Sequence, residues 1–135
     1  MRARHALVCV ALAGALTACS SSGQPAASAP ATSGAQQAVD AIAEKWPAPN
    51  PRDTSDGCRA KDGDTAKGCE SRVTTDAVTV LEFADEATAA RWAKELGKAG
   101  DTRQAGRYVL SWTAREQDLT SDEARADMVT IVKAI

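Results

Sequence analysis

Ala77-Val78-Thr79-Val80-Leu81-Glu82-Phe83-Ala84-Asp85-Glu86-Ala87-Thr88-Ala89-Ala90-Arg91-Trp92-Ala93-Lys94-Glu95-Leu96 holds a strand and a helix side by side. Its first seven residues are rich in β-formers, so they read as extended chain. Val78 and Val80 share one face of that strand while Leu81 and Phe83 share the other. The strand is therefore either covered on both sides or bulged near Val80-Leu81. From Asp85 the period changes: Ala89, Trp92, Ala93 and Leu96 recur at helical spacing. Asp85 suits the N-cap because its carboxylate can accept from the free amides of the first turn, and Gly97 or Gly100 can end the helix near Lys98.

On the N-terminal side, Glu70 to Thr74 is polar-mixed and Thr75-Asp76 is a turn, so residues 70–83 read as a hairpin. Still earlier, Val39, Ile42, Ala43 and Trp46 fall on one stripe of a helix from about Ala35 to Lys45, with Ser33 and Gln36 as a candidate capping box. Pro47, Pro49 and Pro51 stop that helix, since each lacks an amide donor and disfavours helix in the residue before it. An extended polar crossing should follow. On the C-terminal side, Asp101 to Gly106 reads as a polar loop. Tyr108, Leu110 and Trp112 then alternate with Val109, Ser111 and Thr113 as a strand whose partners are the hairpin strands. Thr120 and Glu123 fit a capping box for a last helix carrying Ala124, Met128, Ile131, Val132 and Ile135. The expected order is α-β-β-α-β-α. Strands and helices separated in this way predict an α+β two-layer sandwich, a three-stranded mainly antiparallel sheet with helices on one face. There is no internal repeat.

The chain has 135 residues, 44% hydrophobic and 25% charged with a formal net charge of −2, which bounds it to one small domain. That composition excludes a collagen-like repeat, a disulfide-dense miniprotein and a wholly disordered chain. A nucleic-acid partner is not expected, because such binders are normally basic.

Residues 1–18 read as an export signal: Arg2 and Arg4 precede an apolar run, Ala6 to Leu16, too short for a permanent span. The run ends in Leu16-Thr17-Ala18-Cys19, followed by Ser20-Ser21-Ser22-Gly23, and here the sequence resembles the lipobox of bacterial lipoproteins. The resemblance implies a diacylglyceryl group on the Cys19 thiol, cleavage between Ala18 and Cys19, and a mature chain starting at Cys19. Two acyl chains, at about 0.8 kcal/mol per buried methylene, hold a protein where one chain binds only marginally. The expected address is the cell membrane, lipid-anchored and facing the extracytoplasmic side, with membrane contact through the Cys19 lipid. Palmitate is the kind of acyl chain such an anchor carries. The layout Cys58…Cys69, Val-Thr-Val, Ala-Arg-Trp and Gly-Arg-Tyr-Val-Leu-Ser-Trp also looks like the small lipoproteins of high-GC Gram-positive bacteria. That likeness implies no particular activity.

Removing residues 1–18 lowers Lys plus Arg from 16 to 14 and leaves Asp plus Glu at 18, so the mature chain carries about −4. It also removes Cys9 and the one histidine, His5. The segment 19–35 combines the lipidated cysteine with a flexible Ser/Ala/Pro tether, which cannot offset the entropy of ordering. One domain, 36–135, should hold the fold. Cys58 and Cys69 flank a Gly-, Asp- and Lys-rich stretch with little to pack. In an exported chain with Cys9 removed and Cys19 lipidated, they pair as a disulfide. A redox-active dithiol would instead set its cysteines two residues apart at a helix start, and here ten intervene.

The remaining constellations give little chemistry. Asp62, Gly63 and Asp64 begin like a calcium loop, but Ala66, Lys67 and Val73 stand where such a loop needs an oxygen ligand, glycine and glutamate. No metal or other cofactor is expected. A mature chain without histidine, Gly-x-Ser-x-Gly or Ser-x-x-Lys lacks the means to activate a nucleophile. Carboxylate pairs such as Glu82 with Asp85 and Glu116 with Asp118 read as surface acids, and five aromatics leave little for a sugar cleft. Phe83, Trp92 and Tyr108 read as core. Trp46, at an element end, and Trp112, on a one-sided strand, are the candidate contacts for a partner or ligand. The expected function is a non-catalytic binding or accessory module of the cell envelope whose partner is an envelope protein or a peptide. The alternative is a small-molecule or lipid-binding domain with its pocket between sheet and helices.

Overall fold

A computed structural model describes residues 31–62, 64 and 67–135. The leader, Cys9, Cys19 and the tether up to residue 30 lie outside the described residues. The fold is α+β: α1 (Gly34–Ala43), β1 (Arg52–Asp53), β2 (Ser71–Thr74), β3 (Thr79–Glu82), α2 (Glu86–Leu96), β4 (Asp101–Ala105), β5 (Tyr108–Trp112), α3 (Ala114–Leu119) and α4 (Asp122–Lys133). A 3-10 turn at Ser55–Gly57 follows β1.

The strands form one antiparallel sheet in the order β1-β2-β3-β5-β4. It has five strands rather than the expected three. The hairpin reading of residues 70–83 and the alternation from Tyr108 to Trp112 find β2, β3 and β5 but not the two edges, because pairing and polar bonds make those strands. Gly106 adopts a φ of 59°, which lets the chain reverse in two residues. Ala105 then faces Tyr108, and pairing runs on to Asp101 opposite Trp112. Thr102 bonds Ser111 at 3.3 Å, and the Gln104 amide donates to the Glu86 and Gly106 carbonyls. The stretch read as a polar loop, 101–106, is thus mostly strand. At the other edge Arg52 pairs with Thr74, and Thr54 donates its amide to the Arg72 carbonyl at 2.9 Å.

Helices lie on both faces, which corrects the two-layer expectation. Val73, Val80 and Leu110 stand in one cross-strand row, buried under Val39 and Ile42 of α1 and Met128 and Val132 of α4. Leu81 and Val109, one residue along, turn the opposite way and pack with Phe83, Ala89 and the half-buried Trp92 of α2. A central strand apolar on both faces must be covered on both. The double-sided pattern of Val78 to Phe83 therefore needs no bulge.

Local chemistry sets the helix ends. Ser33 accepts from the Gln36 amide, but the Gln36 side chain donates to Asp40 at 2.8 Å, so only half of the expected capping box forms. Asp85 caps α2 by accepting from the Thr88 amide at 2.7 Å. The expected box at Thr120 and Glu123 is replaced. Thr113 and Glu116 form a reciprocal box that starts α3, an element the sequence reading lacked. Thr120 donates to the Glu116 carbonyl, and Ser121 caps α4.

Candidate functional site

The elements run between two poles. At one, α1 begins: the Ala35 amide donates to Ser71 Oγ at 3.1 Å, Ser71 donates to Glu82 Oε2 at 2.7 Å, and Arg107 pairs with Glu82 Oε1 at 2.7 Å. The residues leading back to Cys19 leave from this pole. The ten residues of α1 then carry the chain about 15 Å to the other pole. There the chain after α1, the β2–β3 turn and the α3–α4 corner meet around a groove of about 480 Å³.

Each wall has a local cause. Pro47 and Pro49 end α1 and fix an extended run behind Trp46. Thr75 folds the β2–β3 turn by accepting from the Ala77 and Val78 amides and donating to the Val78 carbonyl, which brings Asp76 and Ala77 to the groove. The Thr113/Glu116 box holds α3, so that Leu119 closes the third side. Ala124 and the fully buried Met128 of α4 form the floor. Leu119 is 61% exposed, and Ile135 at the opposite pole is 60% exposed; these are the exposed large hydrophobics among the described residues.

Trp46 is half-buried and held edgewise. Its Nε1 donates to Asp127 Oδ2 at 2.6 Å, and Lys45 Nζ meets the same oxygen at 2.6 Å. Lys45, and then the indole N–H, hold the Asp127 carboxyl below the ordinary carboxylate range. Asp76, on the far wall, is lowered first by the Asn50 amide bond and then by Arg52. Both acids are thus charged at neutral pH. Trp46 lines the groove with its polar edge already satisfied, and Lys45 Nζ lies 5.8 Å from its ring centre.

Trp112, the other candidate contact, is fully buried and reaches no surface. It faces the α1/α4 side with Leu110, and the Arg103 guanidinium lies 5.8 Å from its ring centre. The sequence shows its apolar strand face; it does not show that α4 covers that face. The space between sheet and helices, where the alternative reading put a pocket, holds Ile42, Leu110, Trp112 and Met128, each fully buried. The Trp46–Leu119 groove lies at the end of the layers.

Cys58 and Cys69 form a disulfide with Cα atoms 5.4 Å apart. It packs against Phe83 and α2, and beside it Trp92 donates Nε1 to the Lys67 carbonyl at 3.0 Å. At the start of the candidate calcium loop Asp64 accepts from the Lys61 amide at 2.7 Å, and Gly63 and Ala66 lie outside the described residues. Among the described residues no cluster of His, Cys, Asp or Glu is placed to hold a metal ion, and no helix is long and apolar enough to cross a membrane. Leu119 is the groove residue that sequence reasoning missed. Its signal was a lone large apolar side chain inside the polar run from Arg115 to Glu123.

No family model matches the chain, and neither a curated protein nor a solved structure matches it.

Proposed function

We propose that this chain is an extracytoplasmic lipoprotein, anchored through a diacylglyceryl group on Cys19, that acts without catalysis as a binding module of the cell envelope. Its binding site is the Trp46–Leu119 groove. The observation that carries the reading is the groove's position: α1 starts where the tether joins and ends where the groove opens. A tether that joins at that pole leaves the groove about 15 Å from its point of attachment. The content of the groove supports binding over chemistry, since it offers the half-buried Trp46, an exposed leucine and an apolar floor. Its two lining and anchoring acids, Asp76 and Asp127, are already engaged by Asn50, Arg52, Lys45 and Trp46. A recess of this volume and lining suits a short apolar segment of a peptide or envelope protein.

Two measurements test the reading. The full chain, expressed in bacteria that process lipoproteins, should give an intact mass that begins at an acylated Cys19; a free Cys19 thiol refutes the anchor. Blocked Ala-Leu-Ala peptide titrated into the purified chain should move the indole N–H resonance of Trp46 and leave that of Trp92. Shifts confined to Trp92 would put binding elsewhere.

A further inference from the structure

We infer that the groove takes an uncharged aliphatic side chain of a peptide segment, and that Asp127 sets this specificity by engaging the Trp46 N–H and the Lys45 ammonium. The inference rests on the groove being the binding site; it adds the class of side chain selected and the residue that selects it. Among the described residues lining the groove, Trp46, Asp76, Thr120 and Ser121 carry a polar side-chain atom, and the fold has already engaged each of them. The Trp46 indole donates to Asp127 at 2.6 Å, while Asp76 accepts from Asn50 at 2.6 Å and faces Arg52 at 3.4 Å. Thr120 donates to the Glu116 carbonyl at 2.7 Å, and Ser121 accepts from the Ala124 amide at 3.1 Å. The other lining side chains are apolar, Leu119 and Met128 among them. A charged or hydrogen-bonding group entering this recess would give up water for side chains that already have partners. An aliphatic group gives up nothing of the kind.

Asp127 itself is not part of the lining. It stands on α4 one residue before Met128 of the floor, and its Oδ2 meets both Trp46 Nε1 and Lys45 Nζ at 2.6 Å. Lys45 Nζ also lies 5.8 Å from the Trp46 ring centre. One carboxylate thus engages an indole donor of the groove wall and a cation that lies against the same ring. Without it, both groups are free to meet an acceptor or an anion that the occupant brings in. Asp127 is therefore a positioning residue: it acts on the occupant through Trp46 and Lys45.

The test uses the full chain and three peptides blocked at both ends, Ala-Leu-Ala, Ala-Lys-Ala and Ala-Glu-Ala, with the Trp46 indole resonance as the readout. Ala-Leu-Ala is expected to bind about tenfold tighter than either charged peptide. In Asp127→Ala, Ala-Glu-Ala should gain about tenfold while Ala-Leu-Ala changes by less than about twofold. Asp127→Asn keeps an oxygen for the indole but drops the charge facing Lys45. It should hold the Trp46 resonance near its parental position and give Ala-Glu-Ala a smaller gain, about threefold. Equal affinity for the three peptides, or a preference for a charged one, overturns the uncharged occupant and leaves the groove standing. Failure of all three to move Trp46 overturns the groove as well. A ratio of Ala-Leu-Ala to Ala-Glu-Ala affinity that stays at the parent's value in both variants refutes Asp127 as the determinant. So does a fall in unfolding temperature that weakens all three peptides alike. If Asp127→Ala does not fold, the ratio in Asp127→Asn decides alone.

Discussion

Gly34 occupies a position where a methyl group has no room: a Cβ there would lie 2.3 Å from Glu82 Oε1. That carboxylate is 7% exposed and tied to both Ser71 and Arg107, so it cannot swing aside as a free glutamate would. Helix propensity alone favours Gly34→Ala by up to about 1 kcal/mol, and the clash opposes it by about 1–3 kcal/mol. The clash should win. Urea unfolding of Gly34→Ala should show a net loss of stability, and a gain would refute the contact. Asp85 gives a second test at a single side chain. Its bond from the Thr88 amide, followed by the Thr88 hydroxyl and Lys67, lowers its pKa to about 2. Because the folded value lies below the unfolded one, Asp85 contributes stability that is fully present above about pH 4 and is lost as pH falls toward 2. Asp85→Ala should therefore depress the melting temperature most at neutral pH, with the gap from the parent narrowing below pH 4. A constant gap would mean that the cap's charge has no part in it. The two residues differ in legibility for a physical reason. A cap acts within its own turn, so Asp85 could be read from its neighbours, whereas Gly34 is constrained by a strand far along the chain.

The same division holds between elements. α1, α2, β5 and α4 show their apolar stripes in sequence, because each lays one face on a neighbour. β4 shows none: its side chains bond Glu86, Ser111 and Asp122, and its strand form comes from pairing with β5. α3 is set by a four-residue box too short for any periodicity. Arg125 joins these late elements. Its guanidinium donates to the Gln117 and Thr120 carbonyls, and its Nε lies 2.8 Å from Asp101 Oδ2 as a charge contact rather than an aligned hydrogen bond. Arg125→Ala should cost about 2 kcal/mol in urea unfolding, less than breaking a wholly buried pair, because Asp101 keeps Arg103. A loss near zero would mean that α3 and β4 hold without it. The disulfide loop was legible by a different route, since a stretch with almost nothing apolar between two cysteines needs a covalent closure. Replacing both Cys58 and Cys69 by serine should remove about 2–4 kcal/mol, read as a lower melting temperature, and no change would show that the bond is dispensable.

Among the described residues the molecule is a sheet covered on both faces, with α1 beginning at one end and the groove opening at the other. Half of this was readable beforehand. Trp46 announced itself as an aromatic stranded after a helix, but the groove needs the β2–β3 turn and the α3–α4 corner, which meet it only in three dimensions. Trp112 shows the reverse: the sequence displays its apolar face, and only the packing of α4 reveals that nothing outside can touch it. Leu119 and Ile135 provide a matched pair, equally exposed and at opposite poles. A photoreactive phenylalanine analogue placed at one position or the other in the full chain, then irradiated with the blocked Ala-Leu-Ala peptide, separates the groove from generic stickiness. The peptide should crosslink from position 119 and not from position 135; equal labelling at both, or labelling from 135 alone, would remove the groove as the binding site.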